Sequence, residues 1–410
     1  VSESVSWGGH ERGSRSYTRI LAGLFFAGVS TFAQLYSPQA LLPEISEELG
    51  ISPSTAALTL SIATFGLAIG VIPWSVLADR IGRVRSMIIS LAGASLLGVL
   101  MPFAPSIPLL LGGRFVEGIF LAGVPAAAIA FLQEEIHPAH AGRAAGIYVA
   151  GTSVGGLLGR VVAGPIGEAL SWRTGILVVA VICALSTAAF AVLVPQSKGF
   201  VRHAAGTIAA GLGHRLRVNL TKPRLLALYA QGFLLMGAFV ALYNYLGFRL
   251  IGAPFDLPQL VVSLIFFAYL SGTFSASRAG GLAAHWGSQR VLIVSAIVMA
   301  GGVGLTVIDS LPLVFAGLLI ATAGFFAAHA VASGWTGREA TVGRAQAASL
   351  YNLAYYAGSS LFGWVGGVAL AAAGWNAVVV IIVLLVAGAV VVAAVALRDP
   401  AAPAHPSQST

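Results

Sequence analysis

The chain is expected to be an all-α membrane protein with twelve transmembrane helices arranged as two six-helix halves. Three observations predict this. Twelve apolar stretches fill most of the 410 residues. The composition is 58% hydrophobic and only 9% charged, against about 25% charged in soluble domains. Finally, the second six stretches echo motifs of the first. Crossing about 30 Å of hydrocarbon at 1.5 Å per residue takes roughly 20 apolar residues, and only helices can span one after another with their backbone polar groups satisfied.

The expected spans are 20–42, 55–77, 86–104, 107–131, 144–166, 173–195, 225–247, 259–279, 290–308, 312–333, 347–371 and 375–397. A polar tail, 1–19, precedes helix one. That first stretch is long and lacks a convincing small-residue cleavage site, so it reads as a retained helix rather than a signal peptide. Helices two and three are joined by Leu77-Ala78-Asp79-Arg80-Ile81-Gly82-Arg83-Val84-Arg85, helix four carries charges inside its apolar run, and helix five is glycine-rich. A long basic segment, 196–224, follows helix six and reads as a linker between an N-terminal bundle (20–195) and a C-terminal bundle (225–397), with 398–410 as a polar tail.

The formal charge of +8 raises the question of a nucleic-acid partner, and the distribution of the bases answers it. Arg12, Arg15, Arg19, Arg80, Arg83, Arg85, Arg143, Arg278, Arg290, Arg338, Arg344 and Arg398 lie on the same expected side as the linker bases Lys198, Arg202, Arg215, Arg217, Lys222 and Arg224, whereas Arg173 and Arg249 lie opposite. By the positive-inside rule both termini are expected in the cytoplasm. The partner implied is a lipid bilayer, not nucleic acid. The outer loops carry Glu44, Glu47, Glu48, Glu168, Asp256 and Asp309, read as rim charges. The lone cysteine, Cys183, lies in an apolar run and is expected only to pack.

The internal repeat does not depend on hydropathy alone. Gly142-Arg143-Ala144 is expected to open helix five and Gly343-Arg344-Ala345 helix eleven, each followed by a glycine-rich helix; Trp172 and Trp375 then mark the start of the next helix. Gly280-Gly281-Leu282-Ala283-Ala284-His285-Trp286-Gly287, after helix eight, stands where the Leu77–Arg85 loop stands after helix two. Parallel six-helix repeats about an axis along the membrane normal characterise one transporter architecture, with substrate held between the halves near the midplane.

Over essentially its whole length the chain resembles the major facilitator superfamily, and in particular its bacterial proton-coupled efflux branch of drug and sugar exporters. The loop 2–3 signature matches at Ser75, Leu77, Asp79, Arg80, Gly82, Arg83 and Arg85, with Ser75 in place of the usual glycine and Val84 in place of a usual base. In the second copy Ala284 replaces the acidic residue while Gly280, Gly287 and Arg290 remain. The resemblance implies that Asp79, with Arg80, Gly82 and Arg83, latches the halves in the outward-facing state by reaching the N-terminus of helix eleven. A carboxylate there is worth roughly 0.3–1 kcal/mol, and up to about 2 when partly buried. The alternative is a loop that only fixes topology. Gly164-Pro165 resembles the antiporter signature of helix five, with Gly156 where that signature expects proline.

Arg114, Glu117, Gly118 and Gly123 resemble the family's helix-four signature, with Glu117 where glutamine is common. Residues three apart share a helix face, so Arg114 and Glu117 can pair. At 1.5 Å per residue from Ile107 they lie roughly 10 and 15 Å deep, where a charge costs about 2.5–3.5 kcal/mol and normally faces the bundle interior. Glu117 is the expected proton carrier: burial opposes its charge and Arg114 favours it, so movement of the arginine loads or releases a proton. The alternative is a permanently closed structural pair. Arg160 in helix five is a candidate for binding an anionic substrate, or else snorkels outward or pairs with Glu168. Further substrate candidates interrupt apolar helices: Gln34 and Tyr36 in helix one, Gln231, Tyr243 and Asn244 in helix seven, and Asn352, Tyr355 and Tyr356 in helix eleven, the alternative for each being an interhelical hydrogen bond. His329 in helix ten either shares proton coupling or is a hydrogen-bonded structural histidine.

No Gly-x-x-x-x-Gly-Lys-Ser/Thr loop is present for ATP and no His-Glu-x-x-His motif for zinc, which argues against a primary pump and against an intramembrane enzyme. No metal site and no cofactor are expected, the proton gradient being the energy source. The expected function is a secondary transporter working by alternating access, with proton-coupled export of a small organic solute, an anion on the reading of Arg160 above, as the leading expectation. Uptake symport, uniport and a non-transporting sensor are the alternatives. Abundant Ala, Gly and Arg suit a GC-rich bacterial genome and hence the inner membrane, and a monomer is expected because each chain holds both halves.

Overall fold

The computed structural model describes residues 7–200 and 205–398. The tail residues 1–6 and 399–410 and linker residues 201–204, including Arg202, lie outside the described residues.

Long helices α1 (Arg15–Glu48), α2 (Pro53–Ile81), α3 (Arg83–Phe103), α4 (Ile107–Glu135), α5 (Pro138–Ala169) and α6 (Trp172–Leu193) form the first half, and α7 (Pro223–Ile251), α8 (Gln259–Trp286), α9 (Ser288–Leu305) and α10 (Leu311–Glu339) begin the second. The run Arg344–Ala396 leaves helical geometry at Ala373 and Gly374 (φ 68°, ψ −162°), so it is two helices, α11 (344–372) and α12 (375–396). Glycine tolerates this positive φ without a Cβ clash, which lets the chain reverse within two residues.

Helix starts follow the caps. Ser14, Ser52 and Ser171 each accept a hydrogen bond from the backbone N–H three residues on, satisfying one of the orphan donors of the first turn. Helix α5 starts earlier than expected: His137 caps it and Pro138 occupies its first position, because proline's fixed φ suits that position. Gly142 therefore lies inside α5, whereas Gly343 (φ 66°) does precede α11. The repeat is clearest in the backbone of the two short loops. Gly82 (φ 99°, ψ 148°) ends α2 and Gly287 (φ 88°, ψ 143°) ends α8, the same turn at equivalent places.

Part of the linker is helical, Ala205–Thr221. Asn219 in it donates to the carbonyls of Val342 and Gly343 at 3.2 Å each, so the linker holds the entrance to α11.

Within the first half, α5 lies close against α1. A Cβ on Gly151, Gly155 or Gly159 would lie 2.4, 2.6 and 2.3 Å from the carbonyl oxygens of Phe25, Val29 and Ala33 respectively. Both sets step by four, so one glycine stripe meets one backbone ridge, the small-residue packing that lets membrane helices touch. The equivalent pair in the second half, α7 and α11, uses the same device at Gly358, whose Cβ would lie 2.0 Å from the Phe233 carbonyl.

The halves meet along α2 with α11 and along the end of α5 with the irregular start of α8. At the face opposite the termini the seam is closed. Thr64 and Ser360 hydroxyls are 2.8 Å apart, Gln259 donates to the Ala40 carbonyl, and the Leu260 N–H donates to Glu168. Toward the termini, Gly142 and Gly146 on α5 and Gly280 and Gly281 on α8 have no neighbour within 4 Å of a built Cβ. The contacts between the halves named above lie toward the face opposite the termini.

Gly155→Ala is expected to destabilise the purified protein by about 1–3 kcal/mol, the usual cost of overpacking, whereas Gly146→Ala, which meets nothing, should leave thermal unfolding in detergent unchanged or raise its midpoint through helix propensity. Equal midpoints for the two variants would remove the tight α1–α5 approach as a source of stability.

Candidate functional site

Helix α1 changes character at residues 37–41, where Ser37-Pro38-Gln39-Ala40-Leu41 forms a 3₁₀ turn between two α-helical parts. Pro38 cannot donate a backbone hydrogen bond, and the tighter turn re-aims the side chains around it. Two buried arginines converge on this stretch from different helices.

Arg114 of α4 is 3% exposed and Glu117, one turn on, is fully buried. Arg114 Nη1 lies 2.7 Å from Glu117 Oε2. The remaining guanidinium donors go to the Thr59 carbonyl on α2 (2.9 Å) and the Leu35 carbonyl on α1 (2.8 Å). Gln34 donates to Glu117 Oε1 at 2.6 Å and also to the Ala94 carbonyl on α3. Four helices are thereby joined through one carboxylate and one guanidinium. Beside them is a void of about 10 Å³, lined by Gln34, Ser37, Thr59, Arg114 and Glu117 among others, enough for about one water.

Arg160 of α5 is 1% exposed. Its Nε donates to Gln39 Oε1 (2.6 Å), Nη1 to the Gly156 carbonyl (2.6 Å) and Nη2 to the Tyr269 hydroxyl on α8 (3.1 Å). The guanidinium carbon lies 4.1, 4.7 and 5.0 Å from the ring centres of Tyr36, Tyr269 and Phe266. All these partners are neutral. Desolvated cation–π contacts are worth about 2 kcal/mol or more, which offsets part of the burial cost and leaves the positive charge uncancelled. Glu168 does not pair with Arg160; it accepts from the Leu260 N–H. Arg160 does not snorkel outward either.

Gln39 carries the network across the seam, donating to Asn244 Oδ1 on α7 at 2.7 Å. Gln34 Oε1 and Asn244 Nδ2 are buried with no hydrogen-bond partner among the described residues. Tyr36, Tyr355 and Tyr356 belong to one packed cluster between α1, α2 and α11. His329 bonds the Tyr351 hydroxyl at 2.9 Å through Nδ1 and lies against the rings of Phe325 and Tyr355. Tyr243 bonds Thr322 at 2.7 Å across α7 and α10 and packs against Phe239, Phe266 and Tyr269. Two of the sequence candidates stand apart. Gln231 is fully buried against α12, donating to the Ala389 carbonyl at 2.8 Å, and Asn352 is exposed. Sequence reasoning did not single out Gln39, Tyr269 or Phe266. The polar Ser37-Pro38-Gln39 break was the available signal for the first; nothing local distinguishes the other two from packing aromatics.

In the loop 2–3 signature, Asp79 pairs with Arg83 one turn on, and Arg83 also binds Glu134 at the end of α4 at 2.9 Å. The resemblance led to a contact between Asp79 and α11 in the outward-facing state. Among the described residues, Asn219 of the linker bonds the carbonyls at the entrance to α11, and the Asp79 carboxylate lies against Arg83 of its own half.

The family model described as Major Facilitator Superfamily matches residues 24–328. The chain belongs to that superfamily. It is 39% identical over 368 residues to the inner membrane transport protein YnfM of Escherichia coli, covering 90% of this chain and 88% of that one. It is 36% identical to the uncharacterized MFS-type transporter YybF of Bacillus subtilis, covering 90% of each. Among solved structures it is similar to a bacterial homologue of the human lysosomal transporter Spinster in an inward-facing and occupied conformation, with a TM-score of 0.72, 14% identity, and coverage of 93% and 96% of the two chains. The protein is therefore a multi-pass membrane transporter of the secondary type and not an enzyme, and superfamily membership places a small-molecule site within the membrane.

Removing one partner of a buried ion pair typically costs about 3–5 kcal/mol. Arg114→Met should accordingly lower stability in detergent far more than the double variant Arg114→Met/Glu117→Gln, with a coupling of about 1–3 kcal/mol in a double-mutant cycle. Additive effects would mean that the two side chains contribute independently.

Proposed function

We propose that this chain exports a small organic anion in exchange for protons by alternating access, with both termini in the cytoplasm and the cytoplasmic (inner) membrane as its location. It would act as a monomer and draw energy from the proton gradient alone, without a cofactor. The observation that carries this reading is Arg160. A guanidinium buried among neutral partners at the seam between the halves leaves a positive centre that a carboxylate or similar group would balance. Because its partners come from α1, α5 and α8, an anion reaching it would act on both halves together.

Glu117 is the proposed proton carrier. Its carboxylate accepts from Arg114 and Gln34; withdrawal of Arg114 would leave a buried unpaired carboxylate, and taking up a proton would relieve that cost. The water-sized void beside it supports a proton route within the first half. Antiport is supported by the helix-five and loop 2–3 signatures; symport and uniport differ from it in how the two binding events are linked, not in architecture.

Internal pH of proteoliposomes holding a proton gradient provides the test, with organic anions, pentoses and cationic dyes added in turn. The wild type should answer an organic anion with proton movement. Glu117→Gln should abolish that movement, and Arg160→Gln should raise the KM for the anion by about tenfold or more, equivalent to about 1.4 kcal/mol. Arg160→Lys should restore little, since lysine lacks the planar fork that engages several partners at once. Proton movement driven equally well in Glu117→Gln would dismiss that residue's role. A response confined to pentoses or cationic dyes would dismiss the anionic substrate.

A further inference from the structure

Residues 7–14, ahead of α1, lie on the connection between α4 and α5. The His10 N–H donates to the Glu135 carbonyl at 2.7 Å, the His137 N–H to the His10 carbonyl at 3.2 Å, and Trp7 Nε1 to the Glu134 carbonyl at 3.0 Å. This docking brings Glu11 against the first turn of α5. His140 Nε2 lies 3.1 Å from Glu11 Oε2, and His137 Nε2 lies 3.6 Å from Glu11 Oε1. One ligating atom from each of the three residues falls within 4.8 Å of the others.

We propose that Glu11, His137 and His140 form a binding site for a divalent transition-metal ion of the zinc type, which clips the amino-terminal segment to the start of α5. Tetrahedral Zn²⁺ holds nitrogen and carboxylate oxygen at about 2.0–2.2 Å, which puts neighbouring ligand atoms roughly 3.3–3.6 Å apart. The two observed separations, 3.1 and 3.6 Å, run to different oxygens of Glu11, and with one ligand atom per residue the three lie within 4.8 Å of one another, so side-chain rotation would have to draw them together for one ion to touch all three. A fourth position stays open to water, as the partial exposure of the residues permits: 65% for Glu11, 39% for His137 and 27% for His140.

The surrounding charges favour Glu11 as the ligand. Glu134 is engaged by Arg83, and Glu135 Oε1 accepts from Ser197, Lys198 and Gly199, whereas the partners of the Glu11 carboxylate are the two imidazoles. His140 takes the metal on Nε2. His137 does so once Nδ1 gives up the Ala139 N–H, a contact of 3.3 Å that an exposed helix terminus replaces with water at little cost. The His-x-x-His spacing of residues 137 and 140 is visible in the sequence; the carboxylate that completes the trio is contributed from before α1. The site lies within the first half and across no seam, so the ion would fix the packing of α1 on α5 without blocking the movement of one half against the other.

The test uses the full chain purified in detergent and stripped with a chelator, titrated with Zn²⁺ alone and separately with Co²⁺. One Zn²⁺ should bind per chain, raising the unfolding midpoint, and Co²⁺ should give visible absorption bands of a tetrahedral nitrogen and oxygen site. His140→Ala and Glu11→Gln should each weaken Zn²⁺ binding by about tenfold or more, while His285→Ala, on α8, should not. Normal helical circular dichroism and size-exclusion elution of the variants exclude misfolding as the cause. Absence of stoichiometric binding, or binding unaltered in both His140→Ala and Glu11→Gln, overturns the proposal.

Discussion

Six residues of α1, 34 to 39, hold both deeply buried arginines of the first half, and the polar interior depends on them. Arg114 donates to the Leu35 carbonyl, Gln34 completes the shell of Glu117, Tyr36 lies under the Arg160 guanidinium, and Gln39 accepts from it. An isolated charge inside a bilayer costs several kcal/mol, so each arginine is tolerable only where such partners are already in place. The 3₁₀ turn at Ser37–Leu41 makes this possible, since a continuous α-helix would present these side chains at a different angle.

Two solutions to the same problem therefore stand side by side. Arg114 is neutralised by Glu117 and satisfied by carbonyls from α1 and α2, which makes it part of the fold as well as of the proposed proton site. Arg160 is satisfied in hydrogen bonds but not in charge, because its neighbours are amide, carbonyl, phenol and aromatic faces. A closed pair stabilises a state; an uncancelled charge favours whatever anion can reach it. That difference is why coupling is proposed for the first and solute recognition for the second.

The glycine stripe of α5 contributes to both. Gly151, Gly155 and Gly159 bring α5 onto the backbone of α1, and this close approach is what puts Arg160, next to Gly159, within reach of Tyr36 and Gln39. The continuation of α5 past Gly164 then meets α8 across the closed seam, while its beginning has open space beside it. Glycines serve the seam between the halves as well: a Cβ on Gly367 of α11 would lie 2.5 Å from the Ser54 Cα of α2.

Much of this was legible in the sequence, and for a simple reason. Span length, loop charge and the positions of Gly82 and Gly287 are local properties: the bilayer demands about 20 apolar residues per crossing whatever the neighbours, and a positive φ at a tight turn demands glycine. The pairing of Arg114 with Glu117 was legible too, since residues three apart on a helix must meet. The partners of Arg160 were not, because Gln39, Tyr269 and Phe266 reach it from other helices, and apolar periodicity gives no rotation of one helix about another. The same limit separates Gln231, which packs against α12, from Gln34, which reaches the buried carboxylate, although both are glutamines in apolar runs. By itself, then, the sequence determined the number of helices, their repeat and which charges had to be buried; tertiary structure alone decided which of the two arginines has a carboxylate beside it and which is ringed by neutral groups, because that depends on contacts between helices far apart in the chain.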